Sequence, residues 1–257
     1  MFRISSPRDN HISFVESNHT YLVHQKVYPS VTTLIHHYFP KFDADQVIEK
    51  MRRSKTWSSS QYFGMTNDEI KACWEKNRDS SSSCGSDLHQ KIENFYNEMI
   101  QNHLDDKRDY LYSKYHDEEM KRFIDFDLTY KLVPLRTEWR VYSEDYHIAG
   151  SIDMIFKGDQ PNTIKVFDWK RSKEIKMNNR FEKGFYPLQD LDHCNYQHYS
   201  IQLNTYKFIL ERHYDVQVDE MALIILHPNN PSFVKIPVPD LQDKIKLMLE
   251  HHISKSS

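Results

Sequence analysis

The stretch Gly150-Ser151-Ile152-Asp153-Met154-Ile155-Phe156 is followed, after a polar turn, by Val166-Phe167-Asp168-Trp169-Lys170. Both segments are largely apolar, as half-buried β-strands are, yet together they carry two carboxylates and a lysine. Removing an unpaired charge from water costs on the order of several kcal/mol, so these groups need partners. The turn over residues 157–162 is rich in residues that end strands, which predicts an antiparallel hairpin.

The hairpin would bring its charged side chains together. Because side chains alternate along a strand, Asp168 and Lys170 share one face, while Phe167 and Trp169 occupy the other. Asp153 on the neighbouring strand would then lie within a few ångströms of both. Two carboxylates suit Mg²⁺ or Mn²⁺, and a lysine beside them would stabilise charge on a phosphate or make a nearby water more acidic. The alternative is a surface hairpin with an ordinary Asp–Lys ion pair.

Composition limits the class of protein. The chain of 257 residues has 39% hydrophobic residues and five glycines, which excludes fibrous and low-complexity classes. A net charge of −3 predicts no general attraction to nucleic acid, so any phosphate-binding surface must be local. Cys73, Cys84 and Cys194 have no metal-ligand spacing and are typical of reduced thiols in an intracellular protein. No run approaches the roughly 18 apolar residues of a membrane helix, so we expect a soluble protein, whether nuclear, cytoplasmic or mitochondrial.

The first 130 residues predict a small hairpin followed by helices. The hairpin covers residues 11–28, and Ser30 then begins a helix that its hydroxyl would cap. The same helix start, with Thr32, would also suit a phosphate group. Thr66 starts a capping box and a further helix, which should break or weaken across the serine run at residues 80–83.

Three further residues are candidates for the same site. His89 and Glu93 are four residues apart, so they share one face of a predicted helix beside its apolar stripe. A neutral imidazole there could bind a metal, although a lone helical histidine is more often structural and this chain has fifteen histidines. Glu138, in the strand before the hairpin, either approaches the two aspartates or pairs with Arg136 or Arg140.

The second half of the chain predicts an α/β core. A strongly periodic helix over residues 196–214 places Gln202 and Tyr206 on one face, and two further strands and a terminal helix follow. We therefore expect a mixed β-sheet flanked by helices. The predicted division is a hairpin and helical region over residues 1–130 and a core over residues 131–257.

The chain becomes basic directly after Lys170. Such a segment could hold a polyanion against a metal site, or it could be a solvated, mobile loop. Arg171 and Lys173 begin it, and its other cations are Lys176, Arg180 and Lys183.

Five motifs occur in a characteristic order: Gly85-x-x-x-His89, Glu138, Gly150-x-x-Asp153, Asp168-x-Lys170 and Gln202-x-x-x-Tyr206. This order resembles the RecB-type branch of the PD-(D/E)XK nuclease superfamily. The segment Pro29-Ser30-Val31-Thr32 is also similar to one in the mitochondrial genome maintenance exonucleases. The resemblance extends from about Tyr28 to Leu226.

The resemblance implies a restriction-endonuclease-like core with an N-terminal helical arch over residues 30–98. It also implies a Mg²⁺-dependent exonuclease, with Mn²⁺ able to substitute, acting on single-stranded DNA ends in repair, replication or recombination. A structure-specific endonuclease or an inactive DNA-binding scaffold is the alternative on the same fold. We expect a monomer that binds DNA and no membrane, and a helicase or another replication protein would be a natural partner.

The resemblance also implies roles for individual residues. Lys170 would orient or activate the attacking water, and Glu93 and Glu138 match acidic positions near the site. The implied metal ligands are His89, Asp153, Asp168 and the carbonyl of Trp169. The implied substrate contacts are Ser30, Thr32, Gln202 and Tyr206, joined by Arg171 and Lys173 of the basic segment. Ile152 stands in place of the proline that gives the superfamily its name, and three scattered thiols cannot supply the four ligands of an iron–sulfur cluster.

Overall fold

The computed structural model of the protein describes residues 3–104 and 107–256. The chain divides into two compact units, of which the first comprises Met1–Pro40 and Leu88–Ser257 and the second comprises Lys41–Asp87. Helix α3 (Asn67–Asn102) begins in the second unit and enters the first at Leu88. Among the described residues, no helix combines the length and the apolar content needed to cross a lipid bilayer.

The first unit is built on a mixed five-stranded sheet, as the sequence predicts. Its strands, in their order across the sheet, are β4 (Pro134–Ser143), β5 (Ile148–Lys157), β6 (Thr163–Lys170), β7 (Gln217–Ile225) and β8 (Val234–Pro237). The β4–β5, β5–β6 and β7–β8 pairs are antiparallel, whereas β6 and β7 are parallel. Parallel neighbours need a crossover connection, and here it contains helix α6 (Asn195–His213).

Helices pack on both faces of this sheet. Helix α6 shares its face with α1 (Val31–His36) and α7 (Gln242–Ser256), whereas α5 (Glu118–Tyr130) and the part of α3 after Leu88 cover the other face. The short α4 (Arg108–Tyr112) lies beside α5.

The alternation of β6 explains this division. Ile164 and Val166 belong to the core cluster with α1, α6 and α7, and Phe167 and Trp169 to the cluster with α3 and α5. This is the arrangement that a period of two residues predicts.

A small antiparallel sheet precedes the first helix. It contains β1 (Ile12–Val15), β2 (Thr20–Val23) and β3 (Lys26–Tyr28), so the predicted hairpin has a third strand. This sheet packs on the main sheet through Tyr28, Tyr142 and Ala149. The Ala149 N–H donates to the Pro29 carbonyl at 3.1 Å, which joins the start of α1 to the start of β5.

The second unit contains α2 (Ala44–Arg52) and the beginning of α3. The predicted capping box is formed, because the Thr66 N–H donates to Glu69 Oε2 at 2.7 Å and the Glu69 N–H donates to Thr66 Oγ1 at 3.3 Å. Lys71 joins the two helices through Asp45, with 2.7 Å between Nζ and Oδ1. Helix α3 is continuous across Ser80–Ser83, where the sequence predicts a break or a weakened helix.

Candidate active site

The site lies where β5 and β6 separate. Their ladder runs from the Lys157–Ile164 pair to the Met154–Phe167 pair and ends there. Beyond it, the Trp169 N–H donates to Asp153 Oδ2 at 3.0 Å instead of to a strand carbonyl. This hydrogen bond fixes the Asp153 side chain between the diverging strands and leaves its second carboxylate oxygen for a ligand.

Helix α3 presents His89 to the same point. His89 Nε2 donates to the Trp169 carbonyl at 2.9 Å, and Nδ1 is 3.6 Å from Asp153 Oδ2. The helix is held on the sheet by the buried side chains of Leu88 and Ile92, which flank His89. Two neighbouring ligands of an octahedral Mg²⁺ ion, each at about 2.1 Å, lie about 3 Å apart. The 2.9 Å separation is that of a hydrogen bond, and the same two atoms could bind one ion if the ion replaced the proton on Nε2.

Glu138 of β4 completes a group of three possible ligands. Single ligand atoms of His89, Glu138 and Asp153 all lie within 4.8 Å of one another. Glu138 has a φ of +43°, a left-handed conformation that costs a non-glycine residue about 1–2 kcal/mol. Ser151 Oγ donates to Glu138 Oε2 at 2.8 Å and holds the carboxylate in place. The strained backbone thus turns an acidic side chain of β4 toward the two candidate ligands.

Asp168 and Lys170 form a buried ion pair on the α6 face of β6. Lys170 Nζ lies 2.6 Å from Asp168 Oδ2, and Asp168 is 3% exposed. Oδ2 receives no hydrogen bond of good geometry from any residue that the structure describes, so the ion pair leaves it capacity for another cation. Lys170 also lies over the ring of Tyr199, with Nζ 4.5 Å from the ring centre.

The charges in the site perturb one another. Burial raises the pKa of Glu138 to about 8, and the Asp153 carboxylate adds to this effect. Burial also raises the pKa of Asp168 to about 6, although Lys170 acts in the opposite direction. Burial acts to lower the pKa of Lys170, but the Asp168 and Asp153 carboxylates outweigh it and hold that pKa above its usual value. The two carboxylates therefore favour the protonated form of Lys170, and the clustered carboxyls would be stabilised by a cation.

Tyr206 of α6 packs against the start of the Asp153 segment. A β-carbon on Gly150 would lie 2.6 Å from Tyr206 Cε1 and 2.9 Å from its hydroxyl oxygen. Gln202 Nε2 donates to the same hydroxyl at 3.2 Å. Two motifs far apart in the sequence thus meet, and the glycine is needed because the tyrosine ring occupies the space of its absent side chain.

Two aromatic residues of the site, Tyr21 and Tyr199, are not among the residues expected there. Burial raises the pKa of Tyr21, on β2, to about 12, and the negative charges of Glu138 and Asp153 add to this effect. Tyr199 packs on Lys170 and precedes Gln202 by three residues, one helical turn. That spacing could have indicated Tyr199, whereas only the folding of β2 onto the main sheet reveals Tyr21.

The remaining predicted site residues have other roles or line separate cavities. Ser30 caps α1, with its Oγ accepting from the Thr33 N–H at 2.9 Å. Thr32 and Gln202 line one cavity of about 320 Å³, and Glu93 and Glu138 line another of about 230 Å³.

The two predicted contacts after β6 differ from each other. Arg171 pairs with Glu119 of α5, with 2.5 Å between Nη2 and Oε1, so its charge is already partly satisfied. Lys173 is exposed.

No protein-family model and no curated protein matches the sequence. Among solved structures, the crystal structure of SSO0001 is similar with a TM-score of 0.28 and 14% identity, covering 66% of this chain and 75% of that chain.

Proposed function

We propose that the protein is a metal-dependent deoxyribonuclease with a restriction-endonuclease-like core, acting on single-stranded DNA ends. The observation that carries the proposal is the convergence of His89, the Trp169 carbonyl and Asp153 beside the Asp168–Lys170 ion pair, at the point where two strands separate. A surface hairpin with an ordinary ion pair would leave these groups in water, and Asp168 is 3% exposed.

The donor set fits a hard divalent cation. Single ligand atoms of His89, Glu138 and Asp153 lie within 4.8 Å of one another, and carboxylate oxygens with one imidazole nitrogen suit such an ion. Asp168 is not a member of this group of three; it lies beside it as the partner of Lys170, with 2.6 Å between Oδ2 and Nζ. His89, Asp153, Asp168 and the Trp169 carbonyl would hold Mg²⁺, or Mn²⁺ in its place, with Glu138 able to join them. When bound, the ion would make a water nucleophilic near neutral pH and neutralise charge on the scissile phosphate.

The chain's own residues would supply the remaining functions. Lys170 keeps its proton, so it would stabilise the negative charge that grows on the phosphate rather than remove a proton from water. Without an ion, burial and the Asp153 carboxylate raise the pKa of Glu138 to about 8, so a cation bound by this carboxyl would displace its proton. Tyr206 is a positioning residue, because its ring packs against Gly150 at the start of the Asp153 segment. Gln202 in turn positions Tyr206 by donating to its hydroxyl.

Asp168→Ala tests the proposal directly. We expect Mg²⁺-dependent cleavage of end-labelled single-stranded DNA to fall by at least about 10²–10³-fold, while DNA binding in EDTA persists. Asp125→Ala is the matched control, because Asp125 is an exposed aspartate of α5 outside the site. Circular dichroism should report the same fold for both variants. Mg²⁺-dependent cleavage that survives in Asp168→Ala would overturn the proposal and favour an inactive DNA-binding scaffold or a contaminating nuclease.

Circular single-stranded DNA separates an exonuclease from a structure-specific endonuclease. An enzyme that needs a free end leaves the circle intact and degrades the same sequence once it is linear, whereas an endonuclease cuts both. The helical arch that would restrict access to a threaded strand stays a prediction, and this assay also tests it.

A further inference from the structure

The basic loop, residues 171–186, connects β6 to the region before α6 and combines two unusual surface properties. It has five cationic and two acidic side chains, whereas the whole chain has a net charge of −3. It also exposes large apolar side chains: Phe181 is 95% exposed, Phe185 52% and Tyr186 63%. Aromatic groups at this density on a basic surface are typical of a binding surface rather than of scattered exposure.

The backbone of the basic loop has a defined path. Ile175 is buried in the core cluster that contains α6. The Asn179 N–H donates to Asp192 Oδ2 at 3.0 Å, and the Gly184 N–H donates to the Leu191 carbonyl at 2.9 Å. Anchored at these points, the loop holds the Phe181 side chain in contact with solvent. Tyr186 is partly engaged, since its ring packs edge-on against His251.

Most of the loop's positive charge is available to a ligand. Lys173, Lys176 and Arg180 form no ion pair within the part of the chain that the structure describes. Arg171 and Lys183 do, with Glu119 and Asp192 respectively. The three unpaired cations come directly before the three exposed aromatic side chains along the sequence, and the loop starts directly after Lys170 of the candidate active site.

We propose that the basic loop binds the single-stranded part of a nucleic acid, with Phe181 and Phe185 stacking on bases and Lys173, Lys176 and Arg180 contacting phosphates. This inference rests on the proposed function, because the loop would bind the DNA strand next to Lys170 of the candidate active site. Every unpaired base offers a face for stacking, whereas the faces of paired bases are covered. The aromatic groups would therefore select single strands, and the cations would add affinity without regard to pairing.

Binding of a labelled oligothymidylate in EDTA measures this surface without cleavage. Loss of one stacked base should weaken affinity about 5- to 100-fold, so we expect that loss for Phe181→Ala, with unchanged affinity for a blunt duplex. Phe181→Leu should not restore binding, because leucine is apolar but has no aromatic face. Replacing Lys173, Lys176 and Arg180 with alanine should weaken binding of both DNAs and reduce the dependence of affinity on salt.

Tyr110→Ala is the matched control for Phe181→Ala. Tyr110 is 57% exposed, and Lys114 Nζ lies 4.5 Å from its ring centre, so it is another aromatic residue beside a cation, outside the basic loop. Its substitution should leave binding of both DNAs unchanged. An equal loss in Tyr110→Ala would mean that general surface properties control binding and would overturn the assignment to the loop.

Other outcomes would also overturn the proposal. Unchanged oligothymidylate binding by Phe181→Ala, or an equal loss for duplex, would exclude base stacking. The wild type could also self-associate in sedimentation. If Phe181→Ala abolished this association while DNA binding persisted, the patch would be assigned to a second copy of the chain.

The two proposals can fail separately. If Phe181→Ala binds DNA normally and Asp168→Ala does not cleave it, only the assignment of the basic loop is removed. If the wild-type protein does not cleave DNA but Phe181→Ala selectively loses single-strand binding, only the proposed nuclease activity is rejected.

Discussion

Substitution of Gly150 by alanine is the sharpest test of how the site is built. The new β-carbon would lie 2.6 Å from Tyr206 Cε1, whereas ordinary contacts begin at 3.4 Å, so one group must move by roughly 0.8 Å. Alanine would otherwise be favoured over glycine in a strand by about 0.5–1 kcal/mol. Overpacking of this kind costs about 1–3 kcal/mol, so Gly150→Ala should lower the free energy of unfolding despite the better backbone propensity.

A double-mutant cycle identifies the clashing group. In a Tyr206→Leu background the atoms that meet the β-carbon are absent, and we expect the cost of Gly150→Ala to fall to about zero. In Tyr206→Phe the ring remains, so most of the cost should remain. Urea unfolding measures all six proteins. If Gly150→Ala is as stable as wild type, or if its cost is the same in the leucine background, the close approach of Tyr206 is not what requires the glycine.

The same substitution should affect cleavage. A displacement near 1 Å of a positioning group can cost on the order of 10²-fold in rate, so Gly150→Ala should cleave DNA more slowly while binding it in EDTA as wild type does. Tyr206→Phe separates the ring from the hydroxyl, because it keeps the packing and loses the hydrogen bond from Gln202.

Three further predictions concern charge. Folding raises the pKa of Glu138 from 4.5 to about 8, so between these pH values the folded state retains a proton that the unfolded chain releases. In EDTA the free energy of unfolding should therefore fall as the pH rises from 4.5 to about 8. Urea unfolding of Glu138→Gln should show a weaker dependence on pH. A divalent ion at about 100 times its Kd should stabilise the wild type by about 2.7 kcal/mol and raise its Tm. Asp153→Asn should show little of this rise in Tm, and a chelator should remove the rise in the wild type. Arg108→Met should destabilise the protein by about 3–5 kcal/mol, because it removes the cation 2.5 Å from the buried carboxylate of Asp127, and adding Asp127→Asn should recover part of that loss.

The central part of the site could be predicted because it depends on local periodicity. A period of two residues puts Asp168 and Lys170 on one face, and an apolar hairpin puts Asp153 beside them. The position of His89 follows from helical spacing once the apolar stripe is recognised. These features need only the regular geometry of a strand or a helix, which the sequence pattern specifies.

The remaining features of the site and fold depend on contacts between distant segments, or on residues whose backbone conformation departs from the regular pattern. Glu138 is oriented by a left-handed residue within a strand, which a regular pattern cannot indicate. Tyr21 reaches the site only because the small N-terminal sheet packs on the main one. The serine run of α3 is poor in strong helix formers, yet the helix is continuous, because intrinsic propensity is a weak guide to a residue's conformation in a folded protein.

The parallel pairing of β6 with β7 has a consequence for how the protein is made. The strand that holds Asp168 and Lys170 leaves the ribosome before residues 217–225, its neighbour on one side. Until that neighbour arrives, β6 is an exposed edge rich in apolar side chains, and closing a long crossover is slow compared with forming a hairpin. A nascent or prematurely terminated chain therefore has the acidic and basic groups of β5 and β6 but an incomplete candidate site, so the proposed cleavage of DNA should require a chain that extends beyond β7.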